Sequence, residues 1–330
     1  MPENEKKQDA IAQSTRVRLA RNYADVPFPG RMSPEQEEQI ITCTENALQG
    51  ERHTLRRMRD LSKNARGVLV EQHLISPELA AKDGGAVLLF EEGSASVMVG
   101  EEDHLRIQAM RPGLQLNEAI AQADRIDRTL ERGERFAFDR SWGYLTACPT
   151  NTGTGMRASV MLHLAALTML HQTGQVIRAV SQLGLTVRGL YGEGSEASGQ
   201  LYQLSNQITL GRTEDEILKL LSDTADQVIQ RERTARELLM EHTRLQVTDK
   251  LMRSWGEFTN ARLMTNKEFL ARLSDARLAS DLGLIPVSAA QLNKLMSDVQ
   301  PATLERNAGR TLKSEERDEL RAEIIRKTLA

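Results

Sequence analysis

The apolar pattern of this 330-residue chain changes period once, near residue 212, and that change limits the folds open to it. Before it, short apolar runs at Val87 to Phe90, Ala95 to Val99 and Leu105 to Ala109 are separated by Glu92-Gly93 and Gly100-Glu101, the pattern of an antiparallel meander. Helical segments intervene at Pro34 to Gln49 and at Gln115 to Gly133, the second closing on a glycine suited to a C-cap. From Thr213 onward, Ile217, Leu220, Leu221, Thr224 and Val228 recur at helical spacing, with Asp215 and Glu216 in the first turn, where the helix dipole favours acids. Strands and helices without regular alternation predict an α+β fold, an antiparallel sheet flanked by helices and followed by a helical C-terminal domain. The expected divisions are a polar segment 1–13, a domain 14–235 and a helical domain 236–330.

Several of the strand-like segments carry arginine on the side opposite their apolar residues. In Ser14 to Asn22, Val17 and Leu19 alternate with Arg16 and Arg18, so both guanidinium groups point the same way. Glu101-Glu102-Asp103-His104-Leu105-Arg106-Ile107-Gln108-Ala109 sets Arg106 against Leu105, Ile107 and Ala109, behind three carboxylates. Gly184 to Glu196 sets Arg188 against Leu185 and Val187 and continues into a glycine-rich loop with Glu193. A fourth segment, Cys148-Pro149-Thr150-Asn151-Thr152-Gly153-Thr154-Gly155-Met156-Arg157-Ala158-Ser159, joins a thiol, a glycine-rich turn and an arginine. Such a turn offers backbone N–H groups to anionic oxygens, and Arg157 adds a planar donor fork.

Composition narrows the chemistry. Of 43 basic residues, 33 are arginine, which stays charged when partly buried and binds oxyanions in bidentate fashion. A net charge of -3 argues against a nucleic-acid binder that relies on a global positive field. No apolar run approaches the ~20 residues of a membrane span, and Met1 to Gln13 lacks the apolar core of a signal peptide, so a soluble cytoplasmic protein is expected. Cys43 and Cys148 imply no disulfide framework, and Cys43 reads as a helix-face residue. No Cys/His cluster has metal-ligand spacing.

These four segments, in this order, resemble the phosphagen (guanidino) kinase family, over roughly residues 14 to 235. Val70 to Pro77, Tyr191 to Ala197 and Ser205 to Gly211 are similar to its bacterial protein arginine kinase branch, and the likeness runs on through the C-terminal region. The resemblance implies a phosphagen-kinase-like catalytic domain that uses ATP and Mg2+. It implies that Arg16, Arg18, Arg106, Arg157 and Arg188 clamp the ATP phosphates and that His73 lies against the nucleotide. The implied nucleotide site comprises Ser14 to Arg18 (Ser14, Thr15, Arg16, Val17, Arg18), His73, Arg106, Arg157 with Ala158, Ser159, Val160 and Met161, and Arg188 with Gly189, Leu190, Tyr191, Gly192 and Glu193. Glu102 and Glu193 match the pair that grips the acceptor guanidinium, one of them acting as general base, with Cys148 assisting as a thiolate. The magnesium ion would be held mostly by phosphate oxygens and water, with no dedicated protein site.

Near the C-terminus, Arg317-Asp318-Glu319-Leu320-Arg321-Ala322 matches the motif that in protein arginine kinases implies an allosteric phosphoarginine pocket built from Arg317, Asp318, Arg321 and Ala322. Arg317 and Arg321 share a helix face; from spacing alone the segment reads equally as a solvated helix of mixed charge. The resemblance further implies a homodimer and partners of three kinds: a McsA-type activator, a CtsR-type repressor and a ClpC-type unfoldase. Only 13 residues precede Ser14, Gly100 stands where asparagine often precedes the two glutamates, and Tyr191 stands where arginine kinases have arginine. These departures favour an arginine side chain on a protein over a small guanidine. Two alternatives stay open at this level: a kinase of free arginine or another small guanidino compound, and a non-catalytic phosphoarginine-binding adaptor.

Overall fold

The computed structural model describes residues 11–90, 93–189 and 198–329. Its strands are β1 (Ala12–Arg21), β2 (His53–Arg57), β3 (Ala86–Phe90), β4 (Ala95–Val99), β5 (Leu105–Pro112), β6 (Phe138–Asp139), β7 (Gly143–Tyr144), β8 (Met156–His163), β9 (Leu185–Gly189) and β10 (Leu201–Asn206). The α-helices are α1 (Pro34–Ala47), α2 (Lys63–Glu71), α3 (Pro77–Ala80), α4 (Leu116–Gly133), α5 (Ala165–Met169), α6 (Thr173–Gln182), α7 (Glu214–His242), α8 (Arg244–Asn260), α9 (Asn266–Asp281), α10 (Ala289–Asp298), α11 (Pro301–Ala308) and α12 (Ser314–Leu329). The contacts divide the chain into two compact units, one of residues 14–160 and 205–223, the other of residues 1–13, 161–204 and 224–330.

In the first unit the strand order is β2-β3-β4-β5-β1-β8. The expected meander is present: β2, β3, β4 and β5 pair antiparallel in succession, and β1 then pairs antiparallel with β5. The register lines up Leu55, Leu88, Val97, Ile107 and Leu19 across five strands, the last four of them fully buried. Because side chains alternate across a strand, that apolar row fixes the register and with it everything on the opposite face. Helix α4 packs on β5 through Leu116, Ala119, Ala123, Ile126 and Leu130, a three-four spacing that puts all five on one side. Gly133 is the last helical residue of α4 and Glu134 its cap, one residue beyond the glycine that the sequence suggested.

The second unit carries the order β8-β10-β9 and, beyond Thr224, only helices among its described residues. Helix α9 is its centre, with Phe269, Leu270, Leu273, Ala276, Leu278 and Ala279 all buried, and the polar Ser274, Asp275 and Arg277 buried beside them. A polar line runs through this core: the His163 Nε2 lies 2.7 Å from the Ser274 hydroxyl, which in turn donates to Gln200 Oε1 at 2.6 Å. Ser274 therefore accepts from His163, whose ring is neutral with its proton on Nε2, while the buried Nδ1 has no partner among the described residues. Burial, then Arg236 and Arg277, hold the His163 pKa well below the ordinary 6.5. Below about pH 6.5 the unfolded chain takes up a proton that the folded one refuses, so stability falls with pH by up to about 1.4 kcal/mol per unit for this group. His73 and His104 are lowered in the same direction. Denaturant titrations between pH 7.5 and 5.5 are expected to show that slope, flattened but not abolished in His163→Gln. No helix of the described residues is long and apolar enough to cross a membrane.

Candidate active site

The face of the sheet opposite the apolar row belongs to arginine. On β1 and β5, Arg18 pairs with Gln108 and Ala20 with Arg106, and directly opposed residues share a face. Arg16, Arg18 and Arg106 therefore stand together, while Val17, Leu19, Leu105, Ile107 and Ala109 are fully buried on the other side. Strand β8 brings a fourth. The Ala20 N–H donates to the Gly155 carbonyl at 2.9 Å and the Ser159 hydroxyl to the Arg16 carbonyl at 3.4 Å, which sets Arg157 alongside Arg18. Met156, Ala158 and Val160 turn into the core.

Four guanidinium groups so close together repel one another. The pKa of Arg16 is lowered by burial and by Arg106 and Arg157. That of Arg18 falls well below the usual value through burial, Arg16, Arg106 and Arg157, with Glu101 opposing. The buried Arg18 Nε–H has no hydrogen-bond acceptor among the described residues. An anion with several oxygens, such as a polyphosphate, satisfies both the charge and the unmatched donor. His73 stands at φ 58° with its carbonyl accepting from Gln108 Nε2 at 2.6 Å. Burial and Arg16 lower its pKa, so it faces the cluster as a neutral ring.

The acidic turn before β5 supplies the opposite charge. Arg106 donates to Glu101 Oε1 at 2.7 Å and to Glu102 Oε2 at 3.2 Å. Glu101 is buried, with its main chain held by Lys82 Nζ, whereas the Glu102 side chain is 44% exposed and has room for a second guanidinium. Asp103 Oδ1 accepts from Asn22 Nδ2 and from the Ala147 N–H, both at 2.7 Å, tying this turn to the segment that begins at Cys148.

That segment is a braced turn. The Asn151 N–H donates to the Cys148 carbonyl, and the Thr209 hydroxyl lies 2.9 Å from the Thr150 carbonyl and 2.7 Å from that of Thr152. Gly153 has φ 115°, and a Cβ there would lie 2.3 Å from the Thr209 carbonyl oxygen, so only glycine fits. Behind the turn the buried Arg21 donates to the Thr154 carbonyl at 3.0 Å, pairs with Asp127 at 2.9 Å and lies 3.5 Å over the Tyr144 ring. Cys148 Sγ is 3.0 Å from the Thr150 hydroxyl. Arg18, Glu102, Arg106, Cys148, Thr150, Asn151 and Arg157 line one open cleft.

The remaining expected site residues are distributed differently. Thr15 is buried, donates to the Gly113 carbonyl and accepts from the Gln115 N–H, so its side chain serves the core, as does that of Val17; Ser14 is half-buried. Met161, Arg188 and Gly189 belong to the other unit, Arg188 being exposed on β9. Leu190, Tyr191, Gly192 and Glu193 lie outside the described residues. Helix α12 carries Arg317, Asp318, Arg321 and Ala322. Arg317 bonds Glu305 at 3.0 Å, but Arg321 is 1% exposed and donates to the carbonyls of Val299 and Met264 and to Asp318. Glu101, Asp103, Arg21 and Thr209 were not singled out from the sequence; only Glu101 and Asp103, inside the acidic run, left a signal there. Among the described residues no group of His, Cys, Asp and Glu side chains is placed to hold a metal ion.

Residues 35–235 match the model of the ATP:guanido phosphotransferase C-terminal catalytic domain, and residues 244–330 that of the protein-arginine kinase McsB C-terminal domain. Protein-arginine kinases of Brevibacillus brevis and of Halalkalibacterium halodurans are each 48% identical to this chain, covering 97% of it and 92% of their own length. Among solved structures, a lombricine kinase aligns with TM-score 0.61 and 25% identity over 68% of this chain and 67% of its own. A duplicated taurocyamine kinase from Schistosoma mansoni, solved with transition-state analogue components, aligns with TM-score 0.60 and 26% identity over 68% of this chain and 33% of its own. The chain thus belongs to the ATP:guanido phosphotransferase family and, within it, to the protein-arginine kinases.

Proposed function

We propose that this protein transfers the γ-phosphoryl group of ATP to arginine side chains of proteins, and that the arginine-lined cleft is where it does so. The observation that carries the reading is the placement of Arg18, Arg106 and Arg157 in one cleft with Glu102 and Cys148. Phosphoryl transfer requires chiefly alignment and charge compensation. Arg16, Arg18, Arg106 and Arg157 hold the phosphate oxygens, with His73 against the nucleotide and Arg188 completing the set by resemblance. Ser14 to Arg18, Arg157 to Met161 and Arg188 to Glu193 are the segments that would cradle the nucleotide. A magnesium ion bound with ATP would neutralise phosphate charge and would be held mostly by phosphate oxygens and water, with no dedicated group of protein ligands.

The acceptor guanidinium is a poor nucleophile because its pKa exceeds ~12. Glu102 and Glu193 orient it, and one of the two carboxylates takes the proton as the N–P bond forms and the bond from the γ-phosphorus to the bridging oxygen breaks, ADP leaving with that electron pair. The Cys148 sulfur acts as an electrostatic partner of the guanidinium, with no covalent intermediate. Cys148→Ala and Glu102→Gln are each expected to lower transfer about 100-fold or more while ATP affinity holds within a few-fold. The check is incubation with Mg-ATP and an arginine-rich unfolded protein, with phosphoarginine mapped under conditions that preserve phosphoramidates. Full activity in both variants would remove this mechanism.

The same reading places the protein in the cytoplasm as a homodimer, in the company of a McsA-type activator, a CtsR-type repressor and a ClpC-type unfoldase. It assigns Arg317, Asp318, Arg321 and Ala322 to a phosphoarginine pocket, in which the partly exposed Arg317, rather than the buried Arg321, would meet a phosphoryl oxygen. The division into a catalytic domain up to about residue 235 and a helical domain beyond it belongs to this proposal.

A further inference from the structure

Beside the catalytic cleft, on the other side of the Cys148–Gly155 turn, lies a second concavity of about 550 Å3 that the phosphoryl-transfer chemistry does not use. Its floor is Gly153 and Thr154 of that turn, and its walls include Phe138, Trp142 and Leu210. These three are 58%, 57% and 42% exposed, and Trp142 is one of only two tryptophans in the chain. Large rings left in water mark recognition surfaces when they cluster around a hollow.

The display is rigid. Strands β6 and β7 form a hairpin in which Asp139 Oδ1 accepts from the Ser141 and Trp142 N–H groups at 2.7 and 3.1 Å. Gly143 has φ 73°, and a Cβ there would lie 2.4 Å from the Gly153 carbonyl oxygen. The hairpin is joined to the turn by reciprocal bonds, the Tyr144 N–H to the Gly153 carbonyl at 2.8 Å and the Gly153 N–H to the Tyr144 carbonyl at 3.3 Å. Phe138 packs edge-on against Tyr144 at 5.3 Å, which fixes its ring at the rim. Glu214 and Glu216 line the far side.

We infer that this groove binds the polypeptide on either side of the acceptor arginine, taking an apolar or aromatic side chain of an extended substrate segment between Phe138, Trp142 and Leu210. The inference rests on the protein-kinase reading and deepens it. Two observations select this occupant. The groove and the cleft are lined by neighbouring residues of one turn, Gly153 and Thr154 on the groove side and Asn151 and Gly155 on the cleft side, so a chain extending at ~3.3 Å per residue reaches from one to the other within a few residues. The rim carries Glu214 and Glu216 against one cation, Arg212, and this net acidic balance complements an arginine-containing segment, which is cationic, whereas free arginine has no flanking chain to enter the groove. Aromatic side chains suit such contacts because they offer large area at low entropic cost.

The test uses the full chain and an unstructured peptide with one arginine and a tryptophan-free apolar residue two or three positions away. N-acetyl-arginine amide serves as the minimal acceptor. In a Trp255→Phe background the peptide is expected to change Trp142 fluorescence saturably, and the minimal acceptor is not. Phe138→Ala and Trp142→Ala, with unchanged melting temperature, are expected to raise the peptide KM at least tenfold with kcat held, leaving the KM of the minimal acceptor within twofold. An unchanged peptide KM, or an equal loss on both acceptors, overturns the inference while leaving the kinase reading standing. Saturable fluorescence change without phosphoryl transfer to either acceptor would show a peptide-binding groove but remove the kinase reading, and with it the groove's role beside an acceptor arginine.

Discussion

Arg18→Gln is expected to lower kcat/KM for phosphoryl transfer by a factor of about 10^3, the scale set by removing one charged donor aimed at a transferring phosphoryl group. The same change is expected to leave the nucleotide-free protein at least as stable as before. Arg18 is held against burial and against Arg16, Arg106 and Arg157, and its Nε–H has no acceptor among the described residues. A shorter, neutral side chain relieves that repulsion. Thermal melts with and without Mg-ATP separate the two effects: the midpoint without nucleotide holds or rises, and the stabilisation by nucleotide shrinks. A melting point without nucleotide that drops by several degrees would show Arg18 to be structural, contrary to this account.

Arg321→Ala is expected to act through stability. The guanidinium is buried and bonds the carbonyls of Val299 and Met264 and the Asp318 carboxylate at 3.1, 2.7 and 2.7 Å. Its removal leaves two carbonyls and the partly exposed Asp318 carboxylate without that donor and opens a cavity where the guanidinium lay, which costs on the order of 3 kcal/mol. Limited proteolysis is expected to open the segment between α9 and α12, and the thermal midpoint to fall; a wild-type melting curve would refute the burial argument. The cleaner probe of a phosphoarginine response is therefore Arg317→Ala, whose side chain pairs only at the margin of the helix, with Glu305 and the Leu312 carbonyl.

These two arginines show where a sequence is informative and where it stops. Arg16, Arg18 and Arg106 were legible because strand alternation is local: Val17, Leu19, Leu105 and Ile107 declare the buried face, and the other face follows. The meander of β3, β4 and β5 was legible for the same reason. Arg321 was not, since its partners Met264 and Val299 lie far away along the chain and a helix rich in both charges reads as solvated. Arg21 eluded the reading likewise. Its parity puts it on the apolar face of β1, opposite Leu105, where a charge is not expected; Asp127, Thr154 and Tyr144, none of them near it in sequence, take it up there. The bracing of the Cys148 turn by Thr209 is equally remote, although Gly153 announced that a turn was needed.

The pairing of Arg18 with Gln108 and of Ala20 with Arg106 has an evolutionary corollary. Strands about 4.8 Å apart, with like-facing residues two positions apart, form a grid whose spacing the polypeptide cannot adjust. Exchanging one grid residue alters one point of it. Deleting or inserting a single residue within β1 would turn Arg16 and Arg18 toward the apolar row and bring Val17 and Leu19 out in their place. Descendants of this chain can thus vary in letter along β1 far more readily than in length.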